Sequence, residues 1–346
     1  MNMSIKNSLS KHNWAHYLDR FGAIIVLLVL VIIAANVSDA FFTSRNILNV
    51  LRQVSANGIL SIGLLFVILT SGIDISIGSI VGVASVTMGI LFAASGDVNG
   101  PLTWVAAMFA PIVPAGSAAG LLVALLVIII FGAILGFING FVICKANIQP
   151  FIMTIGTLSV YRGLALLMSG GRPIHASRET MYLFHVVGEG TVLGIPAQVI
   201  VLILFAILAA FLLGFTTFGR YLRAIGGNQE AARVAGIAVN KCRTAAYVFC
   251  GSMAAIAGFL LTSRTTTGKP NLGMAFEMDA IAACVIGGSR LTGGIGTVGG
   301  TLIGAVIIGV VNNTLNLANV SPHYQLVVRG LIIVLAVASR SIKKPA

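Results

Sequence analysis

The chain has 346 residues, of which 58% are hydrophobic and only 9% are charged. A soluble domain carries roughly a quarter charged residues, so this composition excludes an ordinary water-soluble enzyme or binding domain. The net charge of +12 does not indicate a nucleic-acid partner, because Lys and Arg stand at the ends of apolar runs, where they are typical of membrane-topology signals.

Long uncharged segments predict helices that cross a lipid bilayer. Residues 21–38, 53–73 and 98–144, for example, contain no Asp, Glu, Lys or Arg, and crossing a ~30 Å hydrocarbon core takes about 20 residues. Spanning segments are helices or closed barrels, because the backbone must satisfy its own polar groups in lipid. Continuous apolar runs lack the alternation of a barrel. The predicted fold class is therefore an all-α polytopic integral membrane protein.

Apolar length and helix breakers predict about ten transmembrane helices, some of them broken or re-entrant. The first follows Lys6, Lys11 and Arg20, but its apolar stretch is longer than a signal-peptide core, so we expect a retained helix. The segment 101–116 contains three prolines and is expected to form an outer loop or a short re-entrant piece. The predicted helices lie near 21–38, 47–70, 77–96, 118–143, 150–168, 196–215, 244–263, 275–289, 297–319 and 325–341.

Placing both termini in the cytoplasm puts more than half of the Lys and Arg residues on the inner side, as the positive-inside rule requires. This topology predicts a cytoplasmic N-terminal segment at 1–20 and a single transmembrane domain at 21–341. A cytoplasmic loop then lies at 216–243, and a cytoplasmic tail at 342–346.

Two glycine-rich segments can be aligned with one another. Residues 71–78 (SGIDISIG) match residues 287–294 (GGSRLTGG) in their glycines, hydroxyls and one charged position, so that Asp74 corresponds to Arg290. Paired helix breaks of this kind are typical of transporters. The overlap allows two interpretations, an internal pseudo-repeat or a chance similarity between glycine-rich helix breaks, and eight residues do not choose between them.

The longest polar loop has the pattern of a short helix. Within 218–237 (FGRYLRAIGGNQEAARVAGI), Asn228 is a good N-cap and Glu230 lies in the first turn, where a carboxylate interacts well with the helix dipole. Gly236 is the predicted stop. We expect a short helix along the cytoplasmic face. It is either an ordinary basic loop or a docking element for a peripheral partner.

Several motifs together resemble one family. They are TSGIDISIGS (70–79), QPFIMTIG (149–156) with YRG (161–163), the loop 218–237, and DAIAACVIGG (279–288) followed by TGGIGT (292–297). Almost end to end, the chain resembles the permeases of bacterial ABC importers for monosaccharides such as ribose, galactose, xylose and arabinose. One departure is Ser289-Arg290-Leu291, where the family more often has a small or hydroxyl residue before the second glycine pair.

The resemblance implies a dimer of permease subunits, expected to be a homodimer, in the bacterial inner membrane. A cytoplasmic ATPase subunit and a periplasmic sugar-binding protein are the implied partners. The chain contains no G-x-x-x-x-G-K-[ST] phosphate-binding motif, so ATP and Mg²⁺ are expected in the partner ATPase and no cofactor in this chain. The permease itself is then not an enzyme.

Two sets of residues follow from this resemblance and from the positions of polar residues in the membrane. Contact with the ATPase is expected at Gly219, Arg220, Ala224, Gly226, Gly227, Asn228, Glu230, Ala231, Ala232 and Gly236. The translocation path or the helix breaks are expected to involve Ser71, Asp74, Asn57, Gln149, Phe151, Asn313 and Arg290. For buried amides the alternative use is hydrogen bonding between helices. For Asp74 structural pinning of the break is favoured over substrate contact, and for Arg162 snorkelling to the surface is favoured.

One further alternative is an ion-coupled secondary transporter that works alone, based on the intramembrane Asp74 and the paired breaks. A membrane-embedded hydrolase is disfavoured, because His and carboxylate residues lie mostly at the ends and in loops instead of forming a cluster with a nucleophile.

Overall fold

The computed structural model describes residues 22–93, 100–113 and 117–342. The predicted segment 1–20 and all but the first residue of the predicted tail 342–346 lie outside these ranges, as do parts of the proline-rich segment 101–116. What is described of that segment is a short helix, α4 (Trp104–Ala107), and a 3-10 turn (Ala110–Ile112), in keeping with the prediction that it forms no full span.

The remaining elements follow one another along the chain as helices with a few two-residue strands. The helices are α1 (Gly22–Val37), α2 (Ser44–Leu69), α3 (Ile77–Leu91), α5 (Ala118–Ala146), α6 (Pro150–Ser169), α7 (Arg178–Gly188), α8 (Ala197–Phe215), α9 (Thr217–Gly227), α10 (Gln229–Val234), α11 (Val239–Thr265), α12 (Phe276–Ile286), α13 (Val298–Leu317) and α14 (Pro322–Ile342).

A helix overlaps each of the ten predicted ranges, but the number of membrane crossings does not follow from that match. Six helices, α2, α5, α6, α8, α11 and α13, are long and apolar enough to cross a membrane, which makes the chain a multi-pass membrane protein. In contrast, α3 has 15 residues and α12 has 11. At 1.5 Å per residue neither can cross a ~30 Å core alone.

The all-α prediction needs one small correction. Strand β1 (Ile174–His175) pairs antiparallel with β4 (Thr267–Gly268), with Ile174 opposite Gly268. Strands β2 (Thr191–Val192) and β3 (Ile195–Pro196) form a hairpin. These strands join loops outside the long helices, where a few ladder bonds satisfy backbone groups that no helix includes.

Helices α5 and α11 pack against each other through small residues. A Cβ added at Gly132 of α5 would collide with the carbonyl oxygen of Gly251, and one at Gly136 would collide with that of Tyr247. The backbones therefore touch directly, as membrane helices do where small residues replace large ones. The spacing of Gly132 and Gly136 predicts this use.

The bundle has two distinct ends. At the first, which we call the α10 end, the last residues of α2, α5 and α8 lie with the first residues of α11 and with the loop between α12 and α13. At the opposite or hairpin end lie the first turns of α2, the end of α11 and the β2–β3 hairpin, since Arg52 bonds to Glu189 and Arg264 bonds to Asn49.

Burial divides the helices into an inner and an outer set. Every residue of α3 is buried, because α5, α6 and α11 surround it. In α8, by contrast, Leu204 and Ile207 are each 63% exposed, and such apolar exposure in a membrane protein is a lipid-facing surface. The short inner helix α3 thus begins deep inside the molecule, at the break described next.

Candidate functional site

The first helix break, residues 70–76 between α2 and α3, surrounds a buried carboxylate. Asp74 is fully buried, and its Oδ1 accepts hydrogen bonds from the Ser76 backbone amide at 3.0 Å and the Ser76 hydroxyl at 2.7 Å. Within the described ranges no basic side chain lies within ion-pairing distance of Asp74. The charge is held by neutral donors, as an unpaired buried carboxylate requires.

Two further helices extend this arrangement into a network. Asn139 of α5 donates its amide to the Ser76 hydroxyl at 2.8 Å and lies 3.5 Å from Asp74 Oδ2. The Tyr161 hydroxyl of α6 lies 3.0 Å from Asn139 Oδ1 and 2.9 Å from the Leu135 carbonyl. The break between α2 and α3 is thereby fixed to α5 and α6. This is the structural pinning that the sequence favoured for Asp74.

Arg162 of α6 does not snorkel to the surface, contrary to the expectation from sequence. Its guanidinium is half-buried and donates to the carbonyls of Gly78 (3.0 Å), Leu272 (2.9 Å) and Pro270. Guanidinium groups carry five donors and suit several carbonyl acceptors at once. Arg162 therefore joins α6 to the first turn of α3 and to the segment before α12.

The second break, the loop between α12 and α13, is built from backbone conformation. Gly288, Gly293 and Gly294 have φ values of 104°, 91° and 76°, a region that residues with a Cβ rarely adopt. Arg290 is exposed, whereas Asp74, its counterpart in the aligned repeat, is fully buried. The aligned charges therefore occupy opposite environments.

The loop 216–243 contains two short helices, of which the sequence predicted one. Asn228 Oδ1 accepts from the Ala231 amide at 3.0 Å and so caps α10, and Gly236 adopts φ 83° just after it, as predicted. Helix α9 was not predicted. Its signal was present, since Leu222 and Ile225 are three residues apart and both are buried, the spacing of an amphipathic helix.

The predicted ATPase-contact residues divide into outward and inward positions. Gly219 and Ala232 are buried and Gly226 is half-buried. The remaining members of that set are exposed on the α10 end: Arg220, Ala224, Gly227, Asn228, Glu230, Ala231 and Gly236. Glu230 forms a 3.2 Å ion pair with Arg233, and Val234 is 89% exposed. The two helices present mostly small and charged side chains outward.

The predicted path residues are not brought together. Asn57 is buried in α2, and Asn313 exchanges two hydrogen bonds with Asn46 at 2.7 and 3.0 Å, so the amide of Asn313 links α13 to α2. Gln149 and Phe151 are exposed at the start of α6. Only Ser71 and Asp74 share a break, and Ser71 also contacts the loop that holds Arg290.

An apolar groove of about 890 Å³ lies between α5, α8 and α11 near the α10 end. Its lining includes Phe137, Phe141 and Phe249, and none of the predicted path residues. Phe137 and Phe141 are each 48% exposed on the outside of α5. The chemistry of this groove fits lipid chains better than a hydroxyl-rich solute.

The bundle, its inner half-length helices and its exposed helical loop define a class, the multi-pass helical membrane proteins. The family model described as "Branched-chain amino acid transport system / permease component" matches residues 46–337. The chain belongs to this family of permease components.

Individual relatives cover nearly the whole chain. The ribose import permease protein RbsC of Bacillus subtilis (strain 168) is 41% identical over 320 residues, 92% of each chain. RbsC of Escherichia coli (strain K12) is 38% identical over 91% of each. The L-arabinose transport system permease protein AraH of the same organism is 35% identical over 97% of this chain and 95% of its own. No solved structure matches the chain. The predicted resemblance to monosaccharide permeases is confirmed.

Proposed function

We propose that this chain is the translocation subunit of an ATP-driven monosaccharide importer, working by alternating access as a pair of identical subunits in a bacterial inner membrane. The observation that most supports this proposal is the exposed pair of helices α9 and α10, which lies against both helix breaks at one end of the bundle. A short, capped helix of this kind offers a rigid surface on which a peripheral ATPase can act.

The substrate class rests on the relatives. Two of them are named for ribose and one for L-arabinose, and together they cover more than nine-tenths of the chain, whereas the description of the family model names branched-chain amino acids. We therefore assign a monosaccharide and treat an amino acid as the competing substrate. A periplasmic binding protein would deliver the sugar to the hairpin end.

The orientation follows from charge. Lys145, Arg220, Arg223, Arg233 and Lys241 all belong to the α10 end, and basic residues favour the cytoplasmic side. The α10 end would then face the cytoplasm, together with both chain termini.

The test is reconstitution of the chain with its ATPase and its binding protein in proteoliposomes. ATP is supplied on the α10 side and the binding protein on the other, and uptake of labelled ribose, arabinose and leucine is measured. ATP-dependent sugar uptake is the expected result. Uptake of leucine alone would overturn the substrate class, and no uptake on ATP addition would overturn the proposal.

The same liposomes address the ion-coupled alternative, which is motivated by the buried carboxylate of Asp74 at a helix break. Sugar uptake by the chain alone, driven by a proton or sodium gradient, would establish that alternative. The neutral donors that already satisfy Asp74 favour the structural role instead.

Contact with the ATPase predicts the effect of a charge reversal on α10. In Glu230→Lys the ion pair with Arg233 becomes a repulsion and a cation meets the helix N-terminus, so ATP-driven uptake should fall at least about tenfold. Gly227→Leu should act similarly, because nothing lies within 4 Å of a Cβ at Gly227 and the side chain would project toward the partner. Arg172→Glu, which reverses a charge at an exposed residue of the loop between α6 and β1, is the control.

A further inference from the structure

Three segments that are far apart in sequence meet at one point at the α10 end. They are the start of the first break at Ser71, the second break at Thr292–Gly294, and the last turn of α9 at Gly226. We call this meeting point the glycine junction. No sequence pattern singled out the contact, because the two breaks are more than 200 residues apart.

Hydrogen bonds hold the junction together. The Ser71 hydroxyl donates to the carbonyl of Thr292 at 2.7 Å and lies 3.4 Å from the carbonyl of Gly226. The amide of Gly294 donates to the carbonyl of Leu69 at 3.0 Å, one of the last carbonyls of α2. The two breaks are thus bonded directly to one another, and Ser71 adopts φ 59° there, a conformation that costs a serine free energy.

The backbones are also in direct contact. A Cβ added at Gly226 would collide with the carbonyl oxygen of Leu69 and the amide nitrogen of Gly294. One added at Gly293 would collide with the hydroxyl of Ser71. Because the contacts are between backbone atoms and the short side chain of Ser71, a displacement of α9 cannot be absorbed by a change of rotamer.

We propose that the glycine junction transmits movement of α9 and α10 to both helix breaks at once, with Gly226 and Ser71 as positioning residues for transport. This inference rests on the proposed function, since the force on α10 comes from the ATPase. A shift of α9 would carry the end of α2 and the second break together, while the Asp74 network holds the other end of the first break in place. Rigid contacts of this kind convert small shifts into a switch between two packings.

The first test compares Gly226→Ala with Gly214→Ala. Both place a methyl group in a helix, but nothing lies within 4 Å of a Cβ at Gly214. In the reconstituted complex, Gly226→Ala should lower both the stimulation of ATP hydrolysis by the loaded binding protein and the sugar taken up per ATP by about tenfold. Gly214→Ala should behave as wild type. If Gly226→Ala and Gly214→Ala took up the same amount of sugar per ATP, the inference would be overturned.

A second variant tests the inference in the event that Gly226→Ala does not fold. Ser71→Gly accommodates the positive φ and removes the hydroxymethyl side chain, so it should fold and assemble with the ATPase, as judged by co-purification. It should still lower the sugar taken up per ATP. Unchanged uptake per ATP in Ser71→Gly would show that the contact is only packing and would overturn the inference.

The wild-type complex separates this inference from the proposed function. If wild type takes up none of the sugars on ATP addition, the proposed function fails. If wild type transports sugar and the junction variants take up the same amount of sugar per ATP as wild type, only the proposal for the glycine junction fails. The helical circular dichroism of the purified permease is the readout that a damaged fold would lower and a broken junction would not.

Discussion

The two helix breaks align in sequence but are stabilised by different means. The first, 70–76, is held by side chains: Asp74 is satisfied by Ser76 and Asn139, and Tyr161 closes the network. The second, between α12 and α13, is held by glycines at positive φ and leaves Arg290 exposed. The comparison shows that the first break is anchored to interior side chains of α5 and α6, whereas the second is held by its backbone and contacts α2 and α9.

The largest expected effect distinguishes the two aligned charges. Asp74→Ala leaves the Ser76 amide and the Ser76 hydroxyl without their buried acceptor, and should lower the free energy of unfolding by roughly 3 kcal/mol. Arg290→Ala, at the matching exposed position, should change it by less than about 0.5 kcal/mol. Denaturation of the purified protein in detergent, followed by helical circular dichroism, measures both. Equal losses would show that the breaks are equivalent.

The second break should instead respond to backbone substitution. Gly288→Ala forces a residue with a Cβ to φ 104° and should cost about 2 kcal/mol in the same assay. Gly299→Ala, in the first turn of α13, meets nothing within 4 Å and should be neutral or slightly stabilising. If Gly288→Ala were tolerated as well as Gly299→Ala, backbone conformation would not be what holds this break.

The smallest effect concerns the outer part of the Asp74 network. Tyr161→Phe removes one hydroxyl and should lower the free energy of unfolding by about 1 kcal/mol, while Tyr182→Phe, at a tyrosine that is 73% exposed, should change little. Combining Tyr161→Phe with Asn139→Ala should cost less than the sum of the two single changes, because the side chains share one network. Additive losses would mean that Tyr161 does not act through Asn139.

Much of the fold could be predicted, because a helix that crosses a lipid bilayer must be apolar and long enough to span the hydrocarbon core. The presence of a helix at each predicted range, the cap at Asn228 and the stop at Gly236 depend on local pattern and were confirmed. The use of Gly132 and Gly136 for close helix packing also follows from their spacing, although the partner helix α11 does not. Local pattern missed α7 and α9. The apolar face of α9 is short and lies within a basic loop.

The site was less predictable than the fold. Ser71 and Asp74 were identified from the break itself, but the residues that hold Asp74 come from α5 and α6, and their spacing in sequence carries no sign of the contact. Asn313 illustrates the same limit, since a membrane amide fits a path or a helix contact equally well until its partner, Asn46, is known. The expected snorkelling of Arg162 was wrong because three carbonyls lie within its reach.

The sequence by itself determined that this chain is a multi-pass helical membrane protein, that it resembles monosaccharide permeases and that a capped helix lies in its longest polar loop. These properties depend on composition, motif and short-range spacing. Only the tertiary structure decided that Asp74 is buried while Arg290 is exposed, and that Ser71, Gly226 and Gly294 meet. Such contacts depend on how helices distant in sequence pack, and a glycine's close neighbours cannot be read from the residues beside it.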